Sequence, residues 1–206
     1  MKVLLINGSP HVQGCTHVAL TEVAKALNED DIETQEFHIG GKGVHGCVAC
    51  GGCAKTGLCI YRDDPVNDCI QLAAAADGII VGSPVYFAGP NGSLCAFLDR
   101  MFFLKSDKYA YKPAAAVVSC RRGGASAAFE RLNKYFMISN MPVVSSQYWN
   151  EIHGGNTLDV KRDLEGLQIM RTLGHNMAWL LKCIAAAKIE PPVREKAIAT
   201  NFIRND

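Results

Sequence analysis

Three short apolar runs recur along this chain, and each stops at glycine, serine, proline or cysteine. They are 2–7 before Gly8-Ser9-Pro10, 78–82 before Ser83-Pro84, and 113–119 before Cys120-Arg121-Arg122-Gly123-Gly124. None alternates apolar with polar residues, so neither face of such a strand is built for water. That pattern predicts strands buried on both sides of a parallel sheet. Helical spacing fills the gaps. Val18, Ala19, Leu20, Val23, Ala24 and Leu27 lie on one face of a helix with Thr16 as its expected N-cap. A second helix runs from Pro65, at its first turn, to about Asp77. Residues 94–103 and 126–137 read as two more. A long helix from about Val160 to Ala187 carries the stripe Leu167, Met170, Met177, Leu181 and Ile184, with Gly174 at its middle, and Pro191-Pro192 follow it. The polar run 34–37 predicts an edge strand, and 142–145 a short fifth strand.

Strands alternating with helices imply right-handed crossovers, hence an α/β fold of three layers around a doubly wound five-stranded sheet. At 206 residues one domain is expected, over 1–188, with a cysteine-loop insertion at 45–62 and a tail at 189–206. A hydrophobic share of 49% supports a well-buried core, and a net charge of +1 gives no reason to expect nucleic acid or an anionic membrane as partner. No apolar run approaches the ~18 residues of a membrane span. The apolar start ends at Asn7-Gly8, too soon for a signal peptide, so a cytoplasmic protein is expected. In that compartment cysteines serve as ligands or buried thiols more often than in disulfides.

Four of the nine cysteines fall in thirteen residues, as Cys47-x2-Cys50-x2-Cys53-x5-Cys59. Gly51, Gly52 and Gly57 let this segment turn tightly, so four sulfurs can converge. One short loop of four thiolates suits a cubane iron–sulfur cluster. Zinc, which more often takes two separated pairs, stays open as an alternative, as do disulfides and free thiols. Cys69, Cys95, Cys120 and Cys183 read as small buried hydrophobes.

In a parallel α/β sheet, ligands sit outside the carboxyl ends of the strands. The loops 9–16, 83–92 and 119–126 should meet there. The first lacks the lysine and spacing of a Walker A loop and the glycine pattern of a dinucleotide fingerprint. Its helix N-terminus and the hydroxyls of Ser9 and Thr16 suit a phosphate monoester such as that of FMN, against the alternative of a turn that binds nothing. Pro84, Val85, Tyr86 and Phe87 offer the surface for a flat ring, or else core aromatics. Arg121 and Arg122 beside Gly123 would face the electron-rich end of that ring or an anionic cofactor, or would be solvated surface charge.

The G-S-P-x-x-x-G-x-T start, the S-P-V-Y-F loop with Leu98-Asp99-Arg100 after it, and the four-cysteine loop resemble the NADPH-dependent FMN reductase superfamily of flavodoxin-like proteins, and within it the iron–sulfur flavoproteins. The resemblance covers residues 1 to about 185. It implies a flavodoxin-like sheet in the order 2-1-3-4-5 and a homodimer or homotetramer. It also implies FMN at the three loops, a 4Fe–4S cluster on Cys47, Cys50, Cys53 and Cys59, and NAD(P)H as co-substrate. By motif position Ser9, His11, Gly14, Cys15 and Thr16 would surround the FMN phosphate. Pro84, Val85, Tyr86 and Phe87 would border the isoalloxazine, with Arg121, Arg122 and Gly123 close by. His11 and Cys15 stand where the family commonly has Arg and Asn.

The function expected is electron transfer among NAD(P)H or ferredoxin, the cluster, FMN and a small acceptor, with no side chain required for acid–base chemistry. Three alternatives stay open: a cluster-free NAD(P)H-dependent flavin or quinone reductase, a flavodoxin-type carrier without turnover, and a zinc-stabilised binding module. Tyr148-Trp149-Asn150 and His153 line the substrate side of the ring or pack in an oligomer. His38 and His45 are expected to be bystanders, and His175 a satisfied core or surface histidine.

Overall fold

A computed structural model describes residues 1–103, 108–196 and 198 of the chain. The element order is β1 (Lys2–Asn7), α1 (Cys15–Glu29), β2 (Glu33–His38), α2 (Cys53–Thr56), α3 (Val66–Ala75), β3 (Gly78–Tyr86), β4 (Gly89–Pro90), α4 (Gly92–Phe103), β5 (Ala114–Cys120), α5 (Ala125–Ile138), β6 (Glu151–His153), α6 (Thr157–Val160) and α7 (Leu164–Ala187). The sheet order is β2-β1-β3-β5-β6, all parallel, with β4 turned back antiparallel on β3. Leaving that hairpin aside, the strands follow the expected 2-1-3-4-5 order.

The fully apolar strands are the central ones. On one face Leu4, Ile6, Ile79, Val81, Ala114, Ala116 and Val118 pack under α3, α4 and α5. On the other, Val3, Leu5, Ile80, Ala115 and Val117 pack under α1 and α7. The polar β2 lies at one edge, as its sequence predicts, and no residue in it is fully buried.

The fifth strand is not where 142–145 placed it. Pro142 to Val144 run beside the start of β5 through a single bridge, Val143 to Ala114. The chain then leaves the sheet and rejoins it at Glu151–His153, which pairs with Val118–Cys120. Asn150 fills the gap: its buried side chain donates to the Ala116 carbonyl at 3.1 Å, while its own carbonyl accepts from Val118 N at 3.0 Å. An amide side chain thus replaces one rung of the backbone ladder.

Three further expectations change. The long C-terminal helix starts at Leu164 rather than about Val160, because Asp163 caps it by accepting from Gly166 N at 3.0 Å, and the short α6 precedes it. The α7 stripe ends at Leu181, and Ile184 is exposed. Cys69 and Cys120 are buried as expected, whereas Cys95 is partly buried and Cys183 exposed. Beyond Lys188, residues 189–196 carry no regular structure, and the rest of the expected tail, apart from Ile198, lies outside the described residues. No helix among the described residues is long and apolar enough to cross a membrane.

The tightest helix contact fixes α1, whose N-terminus faces the first strand-end loop. A Cβ at Gly174 of α7 would lie 2.6 Å from Ala26 Cβ and 2.8 Å from the Val23 carbonyl. Gly174→Ala is therefore expected to lower stability by about 1–3 kcal/mol through overpacking, although alanine is the better helix former by about 1 kcal/mol. Chemical denaturation checks the sign.

Candidate functional site

The carboxyl ends of β1, β3 and β5 are knotted together by buried polar contacts. Gly8 N donates to the Gly82 carbonyl at 2.8 Å, and Asn91 Nδ2 donates to the Gly8 carbonyl at 2.7 Å. Asn91 N in turn donates to Ser83 Oγ at 3.0 Å, and that hydroxyl donates to the Pro84 carbonyl at 2.8 Å. Thr16 Oγ1 meets Ser119 Oγ at 2.9 Å, joining the start of α1 to the end of β5. The three predicted loops do converge, and Asn7, Asn91 and Ser119 are part of what holds them.

Within the first loop, Gly14 rather than Thr16 precedes α1. Its backbone is extended and, glycine having no side chain to offer, no side chain caps the first amides of the helix; Thr16 lies one residue inside it and bonds Ser119. Ser9 is buried and accepts from His11 N at 3.1 Å, leaving its hydroxyl proton free to donate elsewhere. His11, Val12 and Gln13 are exposed and, with Pro10 and Gly14, line an open concavity. Cys15 is partly buried, and that burial pushes its thiol pKa up, so it is a neutral neighbour of this concavity. His38 has a structural part in this loop. Its Nδ1 accepts from Gly40 N at 3.2 Å, which assigns the proton to Nε2, and Nε2 donates to the Ser9 carbonyl at 2.7 Å. Asn7 completes the base of the loop by accepting from Ser9 N at 3.0 Å and donating to Glu36 at 2.8 Å.

In the second loop the chain makes a two-residue hairpin, pairing Val85 with Pro90 and Tyr86 with Gly89. Its central residues Phe87 and Ala88 have φ of 49° and 59°. Both positive angles are those of a type I′ turn, which ordinarily takes Asn-Gly. Side chains there carry strain of order 1–3 kcal/mol each. Phe87 is wholly exposed and Tyr86 nearly half so; neither is core. The hairpin rests on Gly124, where a Cβ would lie 2.7 Å from Ala88 Cα. Arg121, Arg122 and Gly123 beside it are exposed, with open space above Gly123.

The cysteine segment forms a second site. Cys47, Cys50, Cys53 and Cys59 all line one pocket, with Val48, Gly51, Ile60, Tyr61, Arg100 and Phe103. Gly51 and Gly57 take positive φ of 69° and 71°, as their turns require. Gly52 serves by smallness: a Cβ there would lie 2.8 Å from Ile60. All nine cysteines are free thiols. No three His, Cys, Asp or Glu side chains among the described residues are gathered closely enough to hold a single metal ion.

Asn67, which sequence reasoning passed over, and Arg100, noted there only within the Leu98-Asp99-Arg100 motif, hold this pocket. Asn67, in the first turn of α3, accepts from Cys59 N at 2.8 Å and donates to the carbonyls of Cys59 and Tyr61 at 3.2 and 2.9 Å. Arg100, from α4, has a fully buried side chain. It forms a bidentate pair with Asp64, the second contact 3.0 Å from Nη2, and donates to the His45 carbonyl at 3.2 Å and to Cys59 Sγ at 3.1 Å. Burial alone would lower its pKa, but the bonds to Asp64 and Cys59 outweigh that and leave it raised. His45 stacks on Tyr61 with ring centroids 4.6 Å apart.

Tyr148, Trp149, Glu151 and His153 line a separate cleft with Asp163, Glu165, Gly166 and Ile169. His175 is a surface histidine bonded to Asp30 at 2.7 Å.

Asn91→Ala would strip the Gly8 carbonyl of its buried donor. The expected cost is about 1–3 kcal/mol, read as a lower denaturation midpoint with unchanged far-ultraviolet circular dichroism.

The family model described as NADPH-dependent FMN reductase matches residues 1–154. An iron–sulfur flavoprotein of Methanocaldococcus jannaschii is 33% identical over 192 residues, covering 89% of this chain and 99% of that protein. One from Methanosarcina thermophila is 32% identical over 192 residues, covering 89% and 97%. Among solved structures, a flavodoxin, WrbA-like protein from Agrobacterium tumefaciens aligns with a TM-score of 0.61 at 18% identity, covering 88% of this chain and 96% of that one. A flavodoxin from the domain Archaea gives 0.60 at 15%, covering 88% and 99%. At such identities the structures speak for the flavodoxin-like fold alone. The family model and the two archaeal relatives carry more: this chain belongs to the NADPH-dependent FMN reductase family, alongside the iron–sulfur flavoproteins.

Proposed function

We propose that this protein is an FMN-dependent oxidoreductase of the iron–sulfur flavoprotein type. It passes electrons among NAD(P)H or reduced ferredoxin, a 4Fe–4S cluster, FMN and a small acceptor, as a homodimer or homotetramer. The observation that carries the reading is the convergence of all four thiols of one short loop on a single pocket, in a domain whose strand-end loops also converge.

The residues present fit both groups. The first turn of α1 offers amides that no side chain has claimed, and the Ser9 hydroxyl still has a proton to donate, which suits a phosphate monoester. His11, Gly14, Cys15 and Thr16 complete that loop. Pro84, Val85, Tyr86 and Phe87 form a stiff hairpin wall for a flat ring, and Arg121, Arg122 and Gly123 border the open space next to it. FMN supplies hydride acceptance on one side and single-electron release on the other. The protein's part is to orient the ring and leave one face open, with no proton-transfer residue needed.

For Cys47, Cys50, Cys53 and Cys59, the donor set is four thiols and nothing else. Four sulfurs on one zinc ion, at about 2.3 Å each, stand about 3.8 Å apart. In a cubane each sulfur binds its own iron and the sulfurs spread wider. Four thiols from one short segment lining one pocket, with no histidine or carboxylate among its lining residues, suit the cluster.

Anaerobic purification with flavin, iron and zinc quantified together tests the reading. About one FMN and four irons per chain are expected, the latter from the cubane formula. FMN without iron would leave the cluster-free reductase, and stoichiometric zinc without FMN would leave the binding module. NAD(P)H oxidation with a quinone acceptor separates an enzyme from a carrier.

Gly124→Ala should act on the flavin site through the hairpin, since its φ of 91° and the 2.7 Å approach to Ala88 both forbid a side chain. FMN affinity is expected to fall by about tenfold or more, equivalent to about 1.4 kcal/mol, in fluorescence-quenching titrations.

A further inference from the structure

The structure assigns Arg100 a role beyond holding the fold: we propose that it is a positioning residue for the cysteine-bound cluster, aiming Cys59 and setting the reduction potential through an N–H···S hydrogen bond. The inference rests on the cluster reading above, and on geometry that exists without the cluster.

Arg100 is the largest of the fully buried side chains. Four of its five N–H donors are accounted for on the cysteine side of α4. Two go to Asp64, one to the His45 carbonyl and one, Nε–H, to Cys59 Sγ at 3.1 Å. The guanidinium also stands 5.1 Å from the centre of the Tyr61 ring. A purely structural ion pair needs only Asp64, whose side chain is itself 6% exposed and also accepts from Val66 N at 3.2 Å. The bond to Cys59 is surplus to that need. It singles out one of the four thiols, and Arg100 shares the hold on that residue with Asn67, whose side chain bonds the Cys59 backbone, so that losing the guanidinium lets this turn open more often.

A permanent donor aimed at a ligand sulfur in a protein-lined pocket withdraws charge from the sulfur. That stabilises the reduced, more negative form and raises the potential, since hydrogen bonds to the sulfurs are among the determinants of cluster potential. Lysine cannot substitute fully, because its point charge lacks the planar fork that reaches Asp64 and Cys59 together.

The test uses Arg100→Met and Arg100→Lys beside the parent chain, each reconstituted anaerobically. Iron per chain is counted, the midpoint is found by potentiometric titration followed by electron paramagnetic resonance, and amide hydrogen exchange across 45–61 is recorded without metal. The expected result is a midpoint shifted negative in Arg100→Met at unchanged iron content, a smaller shift in Arg100→Lys, and at least tenfold faster exchange at the Cys59 amide in Arg100→Met. An unchanged midpoint in a loaded variant, or unchanged exchange in the metal-free one, overturns the proposal. If Arg100→Met does not fold, Arg100→Lys decides by the same two readouts. A parent chain that takes up no iron defeats the cluster reading and the potential-setting role with it, whereas the exchange experiment still judges separately whether Arg100 aims Cys59.

Discussion

A parallel sheet buried on both faces leaves its chain few choices. Strands β1, β3 and β5 are apolar along their central residues, so helices must cover both sides and every connection must cross a face. Every crossover then delivers its loop to the same carboxyl edge. The backbone ladder also stops there, and its last donors and acceptors must find partners without water. Gly8, Gly82, Ser83, Asn91, Thr16 and Ser119 satisfy one another. Convergence of the loops is thus a consequence of closing the hydrogen-bond account at the sheet edge. Ligand-facing groups are those left after the account is closed.

Helix α4 links the two sites mechanically. Asn91, just before it, anchors the first loop, and Arg100 near its end anchors the cysteine pocket. Its twelve residues amount to about 18 Å at about 1.5 Å per residue. Along its length Leu94, Phe97, Leu98 and Met101 are buried in the core, so the helix cannot shift at one end without moving at the other. Lys112 finishes the neighbouring α3 by donating to the carbonyls of Ala73, Ala74 and Ala76. Two of the three helices on this face are therefore fastened by long basic side chains.

Where packing alone decides, the sequence was legible. The central strands, the edge position of β2 and the convergence of loops all follow from runs of apolar residues and the glycines, serines and prolines that end them. The misses share one cause, which is polar side chains standing in for backbone. Asn150 bridges a break in the fifth strand, so the segment that pairs is Glu-Ile-His rather than Pro-Val-Val-Ser. Asp163 caps the long C-terminal helix and so starts it at Leu164, a few residues later than the apolar spacing implies. Thr16 looks like a cap and instead bonds across the sheet, leaving the first turn of α1 uncapped. The candidate thiols were readable from their spacing; their polar partners were not, because nothing in a linear pattern says that Asn67 turns back on the segment just before it or that Arg100 reaches Asp64 and Cys59 across 36 and 41 residues.

The separation along the chain of those last contacts has a bearing on how the molecule is made. Asp64 and Cys59 meet Arg100 across 36 and 41 residues. Contacts of that range close late, after the loop-closure entropy has been met by docking of the helices between them. A chain emerging from the ribosome would present the Cys47–Cys59 segment long before α4 exists, with its thiols unaimed and exposed to oxidation. The pocket is a product of folding rather than a nucleus for it. A group of the kind proposed for these thiols would therefore be taken up by the folded domain rather than by the nascent strand.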